Sequence, residues 1–146
     1  MKSLLRAVTG LALALLVALT TSAPLPVATA AAAARSGKEP NLSNLHISYP
    51  AIHAVGVKGT HLPGATHVLF TMTADAVVTV TLKNTGSGVS RSFSTPQLPT
   101  GANVVRVTAK VAGTNLPPGR YKVILQASNS YGTSDRYVLR LKIVGS

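Results

Sequence analysis

The sequence predicts an all-β domain, a seven-stranded antiparallel sandwich over residues 45–144. Two observations carry this prediction. Short segments of alternating apolar and polar residues recur after residue 44, separated by turns rich in Gly, Pro and Asn about every 8 to 12 residues. No segment of this region keeps the 3.6-residue apolar period of an amphipathic helix.

The first 34 residues have the three parts of a helical secretory signal peptide. Lys2 and Arg6 form a basic start, an apolar stretch follows at residues 11–19, and small residues suited to cleavage fill residues 28–34. The apolar stretch is shorter than the roughly 20 residues that span a bilayer. We therefore expect an exported chain with no membrane span in its mature form; an uncleaved N-terminal anchor is the alternative.

Residues 35–44 are polar, contain Gly and Pro and show no period, so they predict a disordered linker. From Arg35 onward the chain has 12 Lys and Arg and only three acids, Glu39, Asp75 and Asp135, which gives a net charge of +9. The whole chain has no Cys, so the domain folds without a disulfide. This length buries about 65% of its unfolded surface, which is enough for one core.

Alternate apolar positions predict the strands and the residues that face the core. A first strand at residues 45–55 is interrupted at Pro50, which suits an edge because proline has no N–H to donate. A hairpin turn at residues 84–88 leads to a short strand at 89–93, and a loop follows at 95–101. The predicted inward residues are Val68, Phe70, Met72, Ala76, Val78, Val80, Leu82, Val105, Val107, Ala109, Val111, Tyr121, Val123, Leu125, Ala127, Tyr137, Leu139, Leu141 and Ile143.

A Leu, a Pro-Pro-Gly turn and a Tyr open the sixth strand at residues 116–121, and an alternating strand, an Asn, a Gly and a Ser follow up to residue 134. This region resembles bacterial immunoglobulin-like and fibronectin type III-like secreted domains. The resemblance implies that the Tyr121 hydroxyl bonds back to the backbone a few residues upstream, beside Gly119 in the turn. A half-buried strand tyrosine is the alternative. The chain departs from these families in having no Trp and no Cys pair. The resemblance rests on Leu116, Pro118, Gly119, Tyr121, Val123, Leu125, Ala127, Asn129, Gly132 and Ser134.

No group of residues predicts catalysis. Covalent catalysis needs a nucleophile, a base and an orienting group, and glycosidases need two carboxylates at a set separation. The three acids of the mature chain stand in no such motif. We therefore expect a non-enzymatic protein without a cofactor.

The four histidines, His46, His53, His61 and His67, are separated by seven, eight and six residues, which matches no compact metal motif. We expect ordinary surface histidines and no metal site. Weak copper or zinc binding is the alternative, because the chain distantly resembles the secreted copper-resistance sandwich family. That resemblance gives His46 the place of one ligand, but the last turn has no histidine for the other. Calcium is disfavoured because too few acids exist to surround it.

Cations dominate the outward positions of the last two predicted strands. These strands are joined by a short turn and should pair antiparallel with their inward faces matched. If Leu125 lies opposite Tyr137, then Lys122 lies opposite Arg140, an arrangement that is destabilising between like charges. The predicted basic face consists of Lys83, Arg120, Lys122, Arg136, Arg140 and Lys142, with Arg120 opposite Lys142.

Two interpretations of this face stay open. Charged residues on a sheet can simply be solvated and prevent edge-to-edge aggregation. Alternatively, the face binds an anionic cell-envelope polymer, an acidic polysaccharide or anionic lipid headgroups. Nucleic acid is disfavoured by export and by the lack of aromatic platforms for bases. We expect a bacterial, secreted or envelope-associated binding module, with a purely structural envelope domain as the alternative.

Overall fold

The computed structural model describes residues 37–58 and 61–145, so the predicted signal peptide at residues 1–34 lies outside the described residues. In the described part every regular element is a β-strand, which confirms the prediction of an all-β domain. The strands are β1 (Leu42–Ile47), β2 (Ala51–His53), β3 (Ala65–Met72), β4 (Ala76–Asn84), β5 (Ser90–Leu98), β6 (Gly101–Thr108), β7 (Lys110–Val111), β8 (Thr114–Asn115), β9 (Gly119–Asn129), β10 (Gly132–Thr133) and β11 (Tyr137–Val144).

The strands form three sheets. The first has the order β1-β3-β6, the second has the order β2-β11-β9-β4-β5 with β10 paired to β9, and β7 and β8 form a small hairpin. The pairing of β2 with β11 is parallel, and the other pairings are antiparallel. Buried residues from both large sheets belong to one hydrophobic cluster, so the two sheets share a core.

The alternating pattern identified the core correctly. The predicted inward residues of β3, β4, β6, β7 and β9 are all buried, as are Leu141 and Ile143 of β11. Tyr137 and Leu139 are only half-buried. The reason is that β2 pairs with residues 142–144 alone, so the first half of β11 has no neighbouring strand on that side.

The first predicted strand is two strands in different sheets. The chain leaves β1 of the first sheet at Ile47, passes Pro50 and enters β2 of the second sheet at Ala51. Proline restricts the backbone and lacks an N–H, so it suits a crossing point between ladders. The backbone carbonyl of Pro50 still accepts a bond from Lys142 N at 2.8 Å.

The strand predicted at residues 89–93 is longer than expected, and most of the loop predicted at 95–101 is strand. β5 continues to Leu98, with a change of register opposite Val77–Thr79. Pro96 is tolerated because β5 is the outermost strand of its sheet, where a missing N–H breaks no ladder bond. At the irregularity the Thr95 hydroxyl accepts a bond from Val78 N at 3.0 Å.

The described part of the predicted linker is fixed to the domain, so the prediction of disorder is wrong there. β1 begins at Leu42, whose side chain is buried. Asn41 N donates to the Thr73 hydroxyl at 2.9 Å, and Thr73 N donates to Asn41 O at 3.1 Å. Asn129 adds a third attachment, because its side-chain amide donates to Lys38 O at 2.9 Å.

The hydrogen bond that the resemblance implies for Tyr121, an arrangement called a tyrosine corner, is present. The Tyr121 hydroxyl donates to Pro117 O at 2.6 Å, four residues upstream, and the side chain is 1% exposed. Gly119 is required beside it for a steric reason. A Cβ at that position would lie 2.7 Å from Asn84 Nδ2.

Replacing Tyr121 by Phe should lower the free energy of unfolding by about 0.5 to 1.5 kcal/mol, the net value of one hydrogen bond. The ring stays buried, so the loss of the bond to Pro117 O is isolated from any loss of packing. Urea unfolding followed by circular dichroism measures this difference. An unchanged midpoint would mean that the hydroxyl contributes nothing to this corner.

Candidate anion-binding surface

Three cations lie side by side on the three inner strands of the second sheet. Lys83 of β4 is opposite Lys122 of β9, and Lys122 is opposite Arg140 of β11. All three side chains are exposed on the outward face. Neighbouring strands lie about 4.8 Å apart, so the α-carbons of this row span roughly 10 Å.

A second row lies two residues further along the same strands, where Arg120 of β9 is opposite Lys142 of β11. The register predicted from the sequence is confirmed here, including the inward pair of Leu125 and Tyr137. We call these five exposed cations the basic cluster: Lys83, Arg120, Lys122, Arg140 and Lys142.

Arg136 is the one predicted member of the basic face that does not join the basic cluster. It directly precedes β11 and is four residues before Arg140. It therefore lies towards the opposite end of the sheet from Lys142. At about 3.4 Å per residue the separation along the strand is roughly 14 Å. The sequence predicts Arg136 as an outward residue of the last strand, at one end of the basic face, but the strand begins one residue later, at Tyr137.

Two shallow clefts flank Lys122. One has a volume of about 420 Å³ and lies among Pro50, Arg120, Arg140 and Lys142, and the other has a volume of about 430 Å³ and lies between Lys83 and the turn after β4. Lys122 and Thr85 line both clefts. The clefts therefore offer adjacent, solvent-open spaces in which anionic groups can approach several cations at once.

The turn between β4 and β5 borders these clefts and is held by Asn84. The Asn84 side-chain oxygen accepts bonds from Gly86 N at 2.8 Å and Ser87 N at 2.9 Å. Thr85 N and the Thr85 hydroxyl both donate to Arg120 O, at 2.9 and 3.1 Å. Sequence reasoning missed Thr85, because its place beside Arg120 depends on how β4 and β9 pair.

The histidines do not form a metal centre in the described part of the chain, where no three His, Asp or Glu side chains are grouped to hold a metal ion. His46 Nδ1 lies 3.3 Å from Asn44 O, and His53 Nδ1 lies 2.9 Å from Ala54 O. Weak copper or zinc binding through the region from His46 to His67 stays a prediction.

Residues 37–58 and 61–145 contain no helix long and apolar enough to cross a membrane. Comparison with known protein-family models and with curated proteins found no match to this chain. The functional assignment therefore rests on the sequence pattern and on the geometry of the basic cluster.

Proposed function

We propose that this chain is a secreted, non-enzymatic binding module that attaches to anionic polymers of the bacterial cell envelope, or to an acidic polysaccharide, through the basic cluster. The observation that carries the proposal is the row of Lys83, Lys122 and Arg140. Like charges directly opposite each other in a sheet are destabilising, by up to about 1 kcal/mol per pair. An anionic ligand that neutralises the row removes this cost, so binding and the unusual pairing have a common explanation.

The position of the cluster supports binding over protection against aggregation. Lysines that prevent edge-to-edge pairing belong on edge strands. The edge strands of the second sheet are β2 and β5, whereas the basic cluster lies on β4, β9 and β11 between them. Lys83, Lys122 and Lys142 have a paired strand on both sides, whereas Arg140 lies on the part of β11 that β2 does not cover. Most of the basic cluster therefore does not guard an unpaired edge.

We further propose an immunoglobulin-like or fibronectin type III-like sandwich, exported from a bacterium. The shared core of the two large sheets and the hydrogen bond from Tyr121 to Pro117 support this fold. The signal-peptide pattern of residues 1–34 supports export. The clefts favour an anionic ligand over a neutral sugar, since Tyr121, the one aromatic residue that lines them, is buried, and the exposed Tyr49 and Tyr131 line neither cleft.

The test is retention of the exported protein on isolated bacterial envelopes at low and high salt. We expect retention at low salt and release at about 1 M salt, where screening shortens to about 3 Å. Envelopes from which the anionic polymers have been extracted serve as the control and should retain little. No retention at low salt would refute the proposal and favour a purely structural domain.

A further inference from the structure

The acids are confined to one end of the domain, where Lys38 and Arg136 also lie, and most of the exposed cations lie at the other end. All three acids of the mature chain lie at one end, which we call the acidic end. Asp75 is in the turn between β3 and β4, and Asp135 lies between β10 and β11. Glu39 is beside the same turns, because a Cβ on Gly132 would lie 2.8 Å from its side-chain carboxyl carbon.

The basic cluster lies at the opposite end, which we call the basic end. Lys83 is next to the last residue of β4, Arg120 is the second residue of β9, and Lys142 is close to the end of β11. β4 has nine residues, so about 27 Å of strand separates its two ends.

Besides Arg106 on β6, three further exposed cations lie at the basic end but not on the outward face of the second sheet. Lys58 follows β2, whose last residue is opposite Val144 near the end of β11. Lys110 begins β7, two residues after Thr108, which is opposite Ala65 at the start of β3. Arg91 is opposite the inward residue Leu82, on the other side of the sheet from Lys83.

We infer that the contact surface is the whole basic end, formed by the basic cluster with Lys58, Arg91 and Lys110, and that it docks end-on against a layer of anionic polymer. This inference rests on the proposed function. Cations on both sides of the sheet cannot all reach one chain lying flat on the outward face, but they can all reach a layer that meets the end. A charge separation of this length also orients the approaching molecule with its acidic end away from the anions.

A polymer layer is favoured over a lipid surface by the aromatic residues. Peripheral membrane binding combines cations with Trp, Phe or Leu side chains that enter the interface. The chain has no Trp, Phe70 is buried, and Phe93 packs against the core. Val55 and Val89 are exposed apolar residues of the basic end, but their side chains are small, so charge is the main feature that this end offers a ligand.

The first test replaces Lys58, Arg91 and Lys110 together by Gln and measures binding of the exported protein to immobilised heparin, a sulfated polysaccharide. We expect about a fivefold loss for each cation removed, or about a hundredfold for the three, at low salt. The control removes two cations from the acidic end, by replacing Lys38 and Arg136 with Gln, and should bind like wild type. If the triple variant also binds like wild type, the end-on inference fails.

The second test uses the absence of Cys from the chain, which makes an introduced thiol unique. Single variants Ser87→Cys in the turn after β4, Ser94→Cys on the outward face of β5 and Ser130→Cys at the acidic end are treated with a bulky maleimide, free and bound to heparin. End-on binding should protect the thiol at residue 87 alone. Protection at residue 94 as well would show that the sheet lies flat and would overturn the inference.

The outcomes separate this inference from the proposed function. If wild type binds neither heparin nor envelopes, the proposed function fails and the inference with it. If wild type binds heparin, but the triple variant binds equally well and heparin does not protect the thiol at residue 87, only the inference fails. Binding to phosphatidylglycerol vesicles without binding to heparin would overturn the choice of a polymer layer.

Discussion

Replacing Lys122 and Arg140 together by Thr should remove most of the salt-sensitive retention on envelopes without lowering stability. These two cations lie opposite each other at the centre of the basic cluster, and Lys122 also faces Lys83. Their removal eliminates both like-charge pairs of the row, each of which costs up to about 1 kcal/mol. Threonine is favoured in strands, so the sheet itself should be unaffected or slightly stabilised.

The matched control is the replacement of Lys38 and Arg136 by Thr, which removes the same charge from the acidic end. This control should keep full retention, so that loss in the first variant reflects position and not net charge. Retention is measured at low salt and stability by urea unfolding. Intact retention with lower solubility of the Lys122→Thr, Arg140→Thr variant would favour protection against aggregation and contradict the binding proposal.

The buried face and the register of the candidate site could be predicted because both follow from a period of two. Side chains alternate between the faces of a strand, so Tyr121, Val123 and Leu125 fix which residues of β9 point outward. Matching the inward faces of β9 and β11 then restricts the possible pairings. This rule leaves several registers, and the pairing of Lys122 with Arg140 follows once Leu125 is placed opposite Tyr137.

Features that depend on contacts distant in sequence could not be predicted. The segment before β1 has a polar composition typical of a linker, yet it is held by Asn129, 91 residues away from Lys38. The extension of β5 through Pro96 depends on its place at the edge of the sheet. A local pattern contains neither fact.

The grouping of charges by end was also hidden from a strand-by-strand interpretation. Periodicity assigns a residue to a face, but its distance from either end depends on strand direction and on where each ladder stops. Glu39, Asp75 and Asp135 are far apart in sequence. They lie at the same end because the segment before β1, the turn before β4 and the turn before β11 are all at that end. Arg136, which the sequence predicts at an end of the basic face, belongs to the opposite end of the domain from Lys142.

Replacing Leu125 by Ala should lower the free energy of unfolding by about 2 to 5 kcal/mol, the range for a buried leucine that leaves a cavity. Leu125 is fully buried at the centre of β9, between Val80 of β4 and Tyr137 of β11. Because strands on both sides hold it, the surrounding backbone has little freedom to close the space. The loss is a large part of the 5 to 15 kcal/mol that is typical of a folded domain.

The neighbouring residue provides the control, since Ile124 is on the same strand but points to the outward face, where it is half-buried. Ile124→Ala removes a side chain of equal size and should cost clearly less than Leu125→Ala, because water rather than an empty cavity replaces much of it. The comparison is made from the urea midpoints of the two variants, provided that the slope of unfolding free energy against urea concentration is the same in both. If Ile124→Ala cost as much as Leu125→Ala, the assignment of the inward and outward faces of β9 would be wrong, and the basic cluster, which depends on the same alternation, would no longer lie on one surface.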